Sequence, residues 1–369
     1  MAVEKGGENH SFVHLVGSIA MNNCDEVFSR VSDELGEYLC RIPDGETGER
    51  SRWIFFQRQM LLDHPATEVD PTVPELELKQ WDGKPMRSLP LIRFREGADL
   101  NDVHFETGYD KAAEYSYGSF EAKRNEGVIP QHARFQVCLP TPMANAYMYA
   151  SHKARDDFLR VYERSLIRAL DAILLGIPHN NLAIQFDVCV EVLLFEGYYE
   201  HQPDDFKEQV FLMLARLAGS VAGDVELGFH LCYGSPYDEP LVRPQDMSIL
   251  VELANGIAAN VDRTVDFIHV PAPQGRTEPE FYKPLRSLKV SPETRIFLGL
   301  VFQGDPDGDQ ERIAVAKEYL AEFGVATECG WGRTDPDNVA GLLASHRQAA
   351  EWLNQYNNRP QARASTNAV

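Results

Sequence analysis

The 369-residue chain is 44% hydrophobic, enough for one large α/β barrel or two ordinary domains, and 35 basic against 56 acidic residues leave it at −21 at pH 7. That field repels phosphate backbones and anionic lipid, which removes nucleic acid and membrane surfaces from the expected partners. No run of about 18 apolar residues could span a bilayer, and the opening MAVEKGGENH lacks the apolar core of a secretory signal, so a cytoplasmic location is expected.

From Phe12 onward, short apolar or β-branched runs alternate with amphipathic ones. The expected strands are Val13 to Ile19, Tyr38 to Pro43, Arg134 to Leu139, Leu182 to Phe186, Val225 to Cys232, Asp266 to Val270, Arg295 to Phe302 and Val325 to Cys329. Several show little alternation, as parallel strands covered on both faces do. Helical spacing is clearest at Asp157 to Leu175, Asp205 to Gly219, Met247 to Asn260, Asp309 to Phe323 and Asp335 to Tyr356. Eight strand and helix units, with neither GxGxxG nor GxxxxGK[ST], predict a closed (β/α)8 TIM barrel over an open doubly wound sheet. One catalytic domain is expected over 11–356, with flexible tails at 1–10 and 357–369.

Between the second and third strands the spacing is too long for one helix and its turns, which predicts an insertion over about 60–130. Its Pro-rich and charged HPATEVDPTVPELELKQWDGKP, the apolar SLPLIRF and the aromatic HFETGYDKAAEYSYGSF suit a lid or a contact between subunits of a homo-oligomer.

A TIM barrel places its chemistry just after the strands' C-terminal ends. In VELGFHLCYG, His230 and Cys232 lie two apart, so an extended strand turns both to one face as a pair of soft metal ligands. Cys329, in ATECGWGR, falls at the same end of another strand, and the conjunction predicts a zinc site. The six cysteines are widely spaced and fit neither a disulfide framework nor a CxxC ribbon; Cys24, Cys40, Cys138 and Cys189 read as structural thiols. The glycine-rich DGETGER reads either as a strand-to-helix turn or as the source of a mouth carboxylate, Glu46. Facing Asp187 of AIQFDV, Glu46 would take a substrate ammonium; the alternative is a salt bridge to Arg50 or Arg52. Trp331 and Arg333 suit either substrate contact or packing.

Taken in order, these motifs resemble the catalytic barrel of cobalamin-independent methionine synthase, a zinc enzyme that transfers a methyl group from a folate to homocysteine. GSI at Gly17 to Ile19 resembles its first-strand GS motif, DGETGER its DGE-type motif, IQFDV its IQIDEP, HLCYG its HxCY segment, and ECGWGRT its closing CGL motif. The resemblance covers most of the chain outside the insertion. It implies zinc on His230, Cys232 and Cys329, amino-acid contacts from Ser18, and an amine clamp from Glu46 and Asp187. Where the family has a glutamate ligand this chain has Pro271, in DFIHVPAP, and His269 two residues earlier on the same strand face is the candidate replacement. SYGS at Ser116 follows Ala113 and Glu114 where the family has a tryptophan, which leaves the methyl donor open.

Zinc held by two thiolates suits binding a substrate thiol better than making hydroxide, so the expected activity is a methyl or alkyl transfer to a small-molecule thiol from an alkyl donor. Two rivals remain. One is a zinc-dependent lyase or hydrolase with His269 or Tyr233 as acid or base; the other is a non-catalytic metabolite-binding barrel.

Overall fold

The computed structural model describes residues 12–236 and 240–357, so the expected tails at 1–10 and 357–369 lie, apart from Asn357, outside the described residues. After residues 12–19 come α1 (Cys24–Leu35) and β1 (Arg41–Pro43). An excursion follows with α2 (Gln57–Asp63), β2 (Thr67–Val69), β3 (Leu76–Lys79), β4 (Pro85–Leu89) and β5 (Ile92–Phe94). The chain continues through α3 (Tyr109–Asn125), β6 (Arg134–Pro140), α4 (Pro142–Tyr149), α5 (Arg155–Gly176), β7 (Leu182–Val188), α6 (Val190–Phe195), α7 (Phe206–Gly219) and β8 (Glu226–Leu231). It ends with α8 (Ser248–Asn260), β9 (Phe267–Pro271), α9 (Pro279–Tyr282), β10 (Arg295–Gly299), α10 (Pro306–Lys317), β11 (Gly324–Ala326) and α11 (Val339–Asn357).

Seven strands form one sheet in the order β1-β6-β7-β8-β9-β10-β11, and every neighbouring pair is parallel. β7 and β9 are buried at every position, which accounts for their mostly apolar character and puts Gln185, Asp187 and His269 among buried surroundings. The expected first strand, Val13 to Ile19, makes isolated bridges instead, Val13 to both Leu39 and Val325 and Ile19 to Trp331. The reason lies in two glutamines. The Leu15 carbonyl accepts from Gln136 Nε2 at 3.0 Å and the Val16 carbonyl from Gln185 Nε2 at 2.7 Å, so side chains from β6 and β7 replace ladder bonds there. Residues 12–19 still connect the two edges of the sheet.

Several expected boundaries move. The run from Arg295 stops at Gly299 and that from Val325 at Ala326, so Cys329 sits on a loop beyond β11, held by Thr327 Oγ1 donating to the Cys329 carbonyl at 2.8 Å. Within the expected insertion, β2 pairs with β5 and β3 with β4, both antiparallel, as one hairpin nested in another. α3 lies apart from those hairpins and packs on α1, α5 and β6 as a sheet-covering helix.

Gly228 and Gly17 show how close the packing around the sheet is. A Cβ on Gly228 would come within 2.3 Å of the Phe267 ring, whose face carries the Arg41 guanidinium at 3.9 Å. One on Gly17 would meet Glu46 Oε2 at 3.1 Å and Cys138 Sγ at 3.2 Å, so the GS motif is small in order to let Glu46 in. No helix among the described residues is long and apolar enough to cross a membrane.

Candidate functional site

β8 carries the first two residues of the site. His230 is buried at its penultimate position, and Cys232 follows where the chain leaves the sheet. Alternation sends both side chains the same way, and the loop after β11 brings Cys329 to them. His230, Cys232 and Cys329 each offer a ligand atom, and these atoms lie within 4.8 Å of one another. The two sulfurs are 3.7 Å apart. Two thiolates on a tetrahedral zinc at ordinary Zn–S lengths stand about 3.8 Å apart, so the spacing and donor set both fit zinc.

The electrostatics favour Cys329 as the resident thiolate. Its pKa is held well below that of a free thiol by hydrogen bonding from Cys232, against burial, with help from His230 and Arg333. The Arg333 guanidinium donates to Cys329 Sγ at 3.6 Å, a contact with the cluster itself. Cys232 is the proton-bearing partner; Cys189 and Cys329 beside it raise its pKa together with burial, while the Gly234 N–H donates to its sulfur at 3.3 Å. Cys189, read from sequence as a structural thiol, follows β7 next to the end of β8.

His269 lies fully buried on β9, opposite His230 in register. Its Nδ1 is 2.7 Å from His230 Nδ1 and its Nε2 is 3.0 Å from the Thr327 carbonyl. Burial, and then the neighbouring His230, keep its pKa well below the usual imidazole value, against Cys329 and the Thr327 and Leu231 carbonyls. Tyr233, one residue after Cys232, turns to the other side. Among the described residues its buried hydroxyl has no hydrogen-bond partner, and the groups acting on it are Glu196, Asp246, Arg276 and Cys232.

The mouth carboxylates come together. Burial, then the Asp187 charge, pushes Glu46 up to about 8. Asp187 also rises to about 8, mainly by burial, restrained by hydrogen bonds from Gln185 at 2.9 Å and from Trp53. Asp44, rather than Glu46, pairs with Arg50 at 2.5 Å, and its other contacts are the Glu46 N–H and the Ser116 hydroxyl, both at 2.8 Å. Glu46 itself sits at φ 44, after Gly45 at φ 77. A non-glycine residue in that region costs on the order of 1–3 kcal/mol, and here the Asp44 cap holds it in place. Two buried acids beside each other repel, and Arg50, which lowers the Glu46 pKa from nearby, is salt-bridged to Asp44 instead.

Ser18 ties the chain's two ends together. Its carbonyl accepts the Trp331 N–H at 2.7 Å and its hydroxyl oxygen accepts the Gly332 N–H at 3.2 Å, leaving the hydroxyl proton to donate. A cleft of about 430 Å³, lined by Ile19, Asn22, Gly48, Ser51 and Gly332 among others, runs alongside.

Sequence reasoning missed three residues here. Trp53 has φ 55 and ψ −128 and reaches Asp187; no pattern in SRWIFF signals it. Asn145 on α4 and Glu191 on α6 are both fully buried, and among the described residues none of their side-chain oxygen and nitrogen atoms has a hydrogen-bond partner of good geometry. Burial pushes Glu191 up to about 7, and its charge in turn raises Asp187. The acid in VEVLLF could have been noticed, since a carboxylate flanked by apolar residues has no solvent to face.

Comparison with solved structures identifies the fold. A B12-independent methionine synthase from Shewanella sp. W3-18-1, in complex with selenomethionine, superposes with a TM-score of 0.57 at 14% identity, over 90% of this chain and 88% of that one. A Listeria monocytogenes protein assigned as a vitamin-B12-independent methionine synthase gives 0.54 at 14% identity, over 95% and 99%. A methyltransferase from Methanosarcina mazei gives 0.50 at 12% identity, over 95% of each chain. No family model matches the sequence, and neither does any curated protein. At these identities the chain shares a fold with methionine synthase-like methyltransferases.

Proposed function

We propose that the protein is a zinc-dependent transferase that moves a methyl or alkyl group to the sulfur of a small amine-bearing thiol, on a (β/α)8 barrel closed by residues 12–19. The observation that carries this reading is the His230, Cys232 and Cys329 cluster with sulfurs 3.7 Å apart, next to the buried Glu46 and Asp187 acids, while Arg50 is salt-bridged to Asp44. Zinc on that cluster supplies the Lewis acidity that keeps a bound thiol deprotonated at neutral pH. Two thiolate ligands temper that acidity, which suits sulfur better than water and places a lyase or hydrolase second.

The chain's own residues orient the substrate. Glu46 and Asp187 receive its ammonium, and the cation lets both stay ionised despite burial. Ser18 directs its hydroxyl proton to the carboxylate of an amino-acid substrate while holding the loop that bears Cys329. Arg50 stays with Asp44, so the turn that presents Glu46 does not collapse onto the carboxylate. The partners are therefore a small-molecule thiol and an alkyl donor, with the hairpins β2–β5 as a cover or a homo-oligomer contact and the cytoplasm as the working compartment.

Metal analysis is the direct test. Protein purified from zinc-replete cells without chelator should carry about one zinc per chain. Near-absence of metal in fresh protein would remove the reading.

A further inference from the structure

The structure assigns His269 as the residue that sets the tautomer of His230, turning its Nε2 lone pair to the metal while His269 itself stays off the metal. This rests on the metal-centre reading above and adds the way the centre is oriented.

A backbone carbonyl only accepts, so the 3.0 Å contact between His269 Nε2 and Thr327 O requires a proton on that nitrogen. A neutral His269 ring then has a bare Nδ1. The 2.7 Å contact between that atom and His230 Nδ1 is a hydrogen bond only if His230 donates. His230 with its proton on Nδ1 has its lone pair on Nε2. Both ring nitrogens of His269 are thereby used, within a ring pair whose centroids are 4.8 Å apart. His269 is fully buried, so no solvent competes for either bond.

Gly299 supports the assignment independently. A Cβ there would lie 3.0 Å from His269 Nε2 and 2.8 Å from the Thr327 carbonyl. Glycine at the end of β10 thus keeps open the space in which the anchoring bond forms. Pro271, further along β9, has no side-chain donor atom, so the centre has three protein ligands: one neutral imidazole and two thiolates. Zinc held by one neutral imidazole and two thiolates would carry no net charge and would have room for a substrate ligand.

The outer partner of a metal-binding histidine typically influences affinity by about 10–100-fold, and that is the effect expected here. Three proteins are compared: wild type, His269→Leu, which removes the acceptor, and His269→Asn, whose Oδ1 takes roughly the place of Nδ1. Zinc affinity is read by competition with a chromophoric chelator, and the His230 tautomer by long-range proton–nitrogen correlation on metal-free, 15N-histidine-labelled protein. In wild type the His230 proton is expected on Nδ1. His269→Leu is expected to bind zinc about 10–100-fold more weakly with a mixed His230 tautomer, and His269→Asn to recover most of both.

A wild-type His230 protonated on Nε2 would overturn the assignment. So would undiminished zinc affinity in His269→Leu, or His269→Asn no better than His269→Leu. Should the leucine variant fail to fold, the wild-type tautomer and the asparagine variant decide. Wild type that takes up no zinc would instead sink the metal-centre reading, a separate result from the tautomer.

Discussion

Cys329→Ser is expected to lower zinc affinity by more than about 100-fold, beyond what loss of an outer partner costs, and to reduce transfer activity in proportion. Cys329 is the thiol of the cluster whose pKa is lowered before any metal arrives, because Cys232 hydrogen-bonds to it and the Arg333 guanidinium adds positive field. A serine hydroxyl at that position is a harder donor that stays protonated at neutral pH, so zinc would lose both a ligand and a counter-charge. Competition with a chromophoric chelator measures the effect. Unchanged zinc content in the folded variant would show that the metal sits elsewhere.

The second large effect is expected at the acid pair. Asp187→Asn and Glu46→Gln should each weaken binding of an amine-bearing thiol by about 100-fold or more, since removing one partner of a buried charge pair costs about 3–5 kcal/mol. The same thiol without its amino group should bind wild type and variants alike. The wild-type acids should also make stability change with pH in the opposite sense from a salt-bridged carboxylate. Both folded pKa values, about 8, lie above the ordinary carboxylate range, so between roughly pH 4 and pH 8 the folded protein holds more protons than the unfolded chain. Stability contributed by the neutral acids is present below that window and declines as pH rises through it. Glu191, at about 7, adds the same slope. Asp187→Asn should therefore flatten the pH dependence of substrate-free thermal unfolding and raise the melting temperature at pH 8. A variant whose melting curve falls with pH as steeply as wild type would contradict the assignment.

Sequence and structure agree best where the chemistry follows strand alternation. HLC could be read as two ligands on one face because period two is a local property of any strand; β8 carries His230 and ends at Leu231, and Cys232 follows directly. Glu46 and Asp187 were legible as a facing pair for a similar reason, each standing at a strand's exit. The first strand was less legible. Its apolar alternation is real, but Gln136 and Gln185, more than a hundred residues away, take the carbonyls of Leu15 and Val16. His269 was visible as a residue of the site, whereas its contacts were not, since they depend on the Thr327 carbonyl and on the missing Cβ of Gly299. Trp53, Asn145 and Glu191 left no spacing signal because loops and crossing helices bring them in. Of the expected insertion, the nested hairpins β2–β5 fit an excursion; α3 instead covers the sheet, and its position depends on packing against α1 and α5.

The central claim, that the cluster activates a substrate thiol, is tested most directly by replacing the metal with cobalt and adding thiols. Cobalt in a site of one histidine and two thiolates gives visible absorption that reports each further sulfur ligand. An amine-bearing thiol such as homocysteine or cysteine should shift the spectrum saturably in wild type and only weakly in Asp187→Asn. No thiol-dependent change across homocysteine, cysteine, glutathione and simple mercaptans, in protein loaded with cobalt, would contradict it.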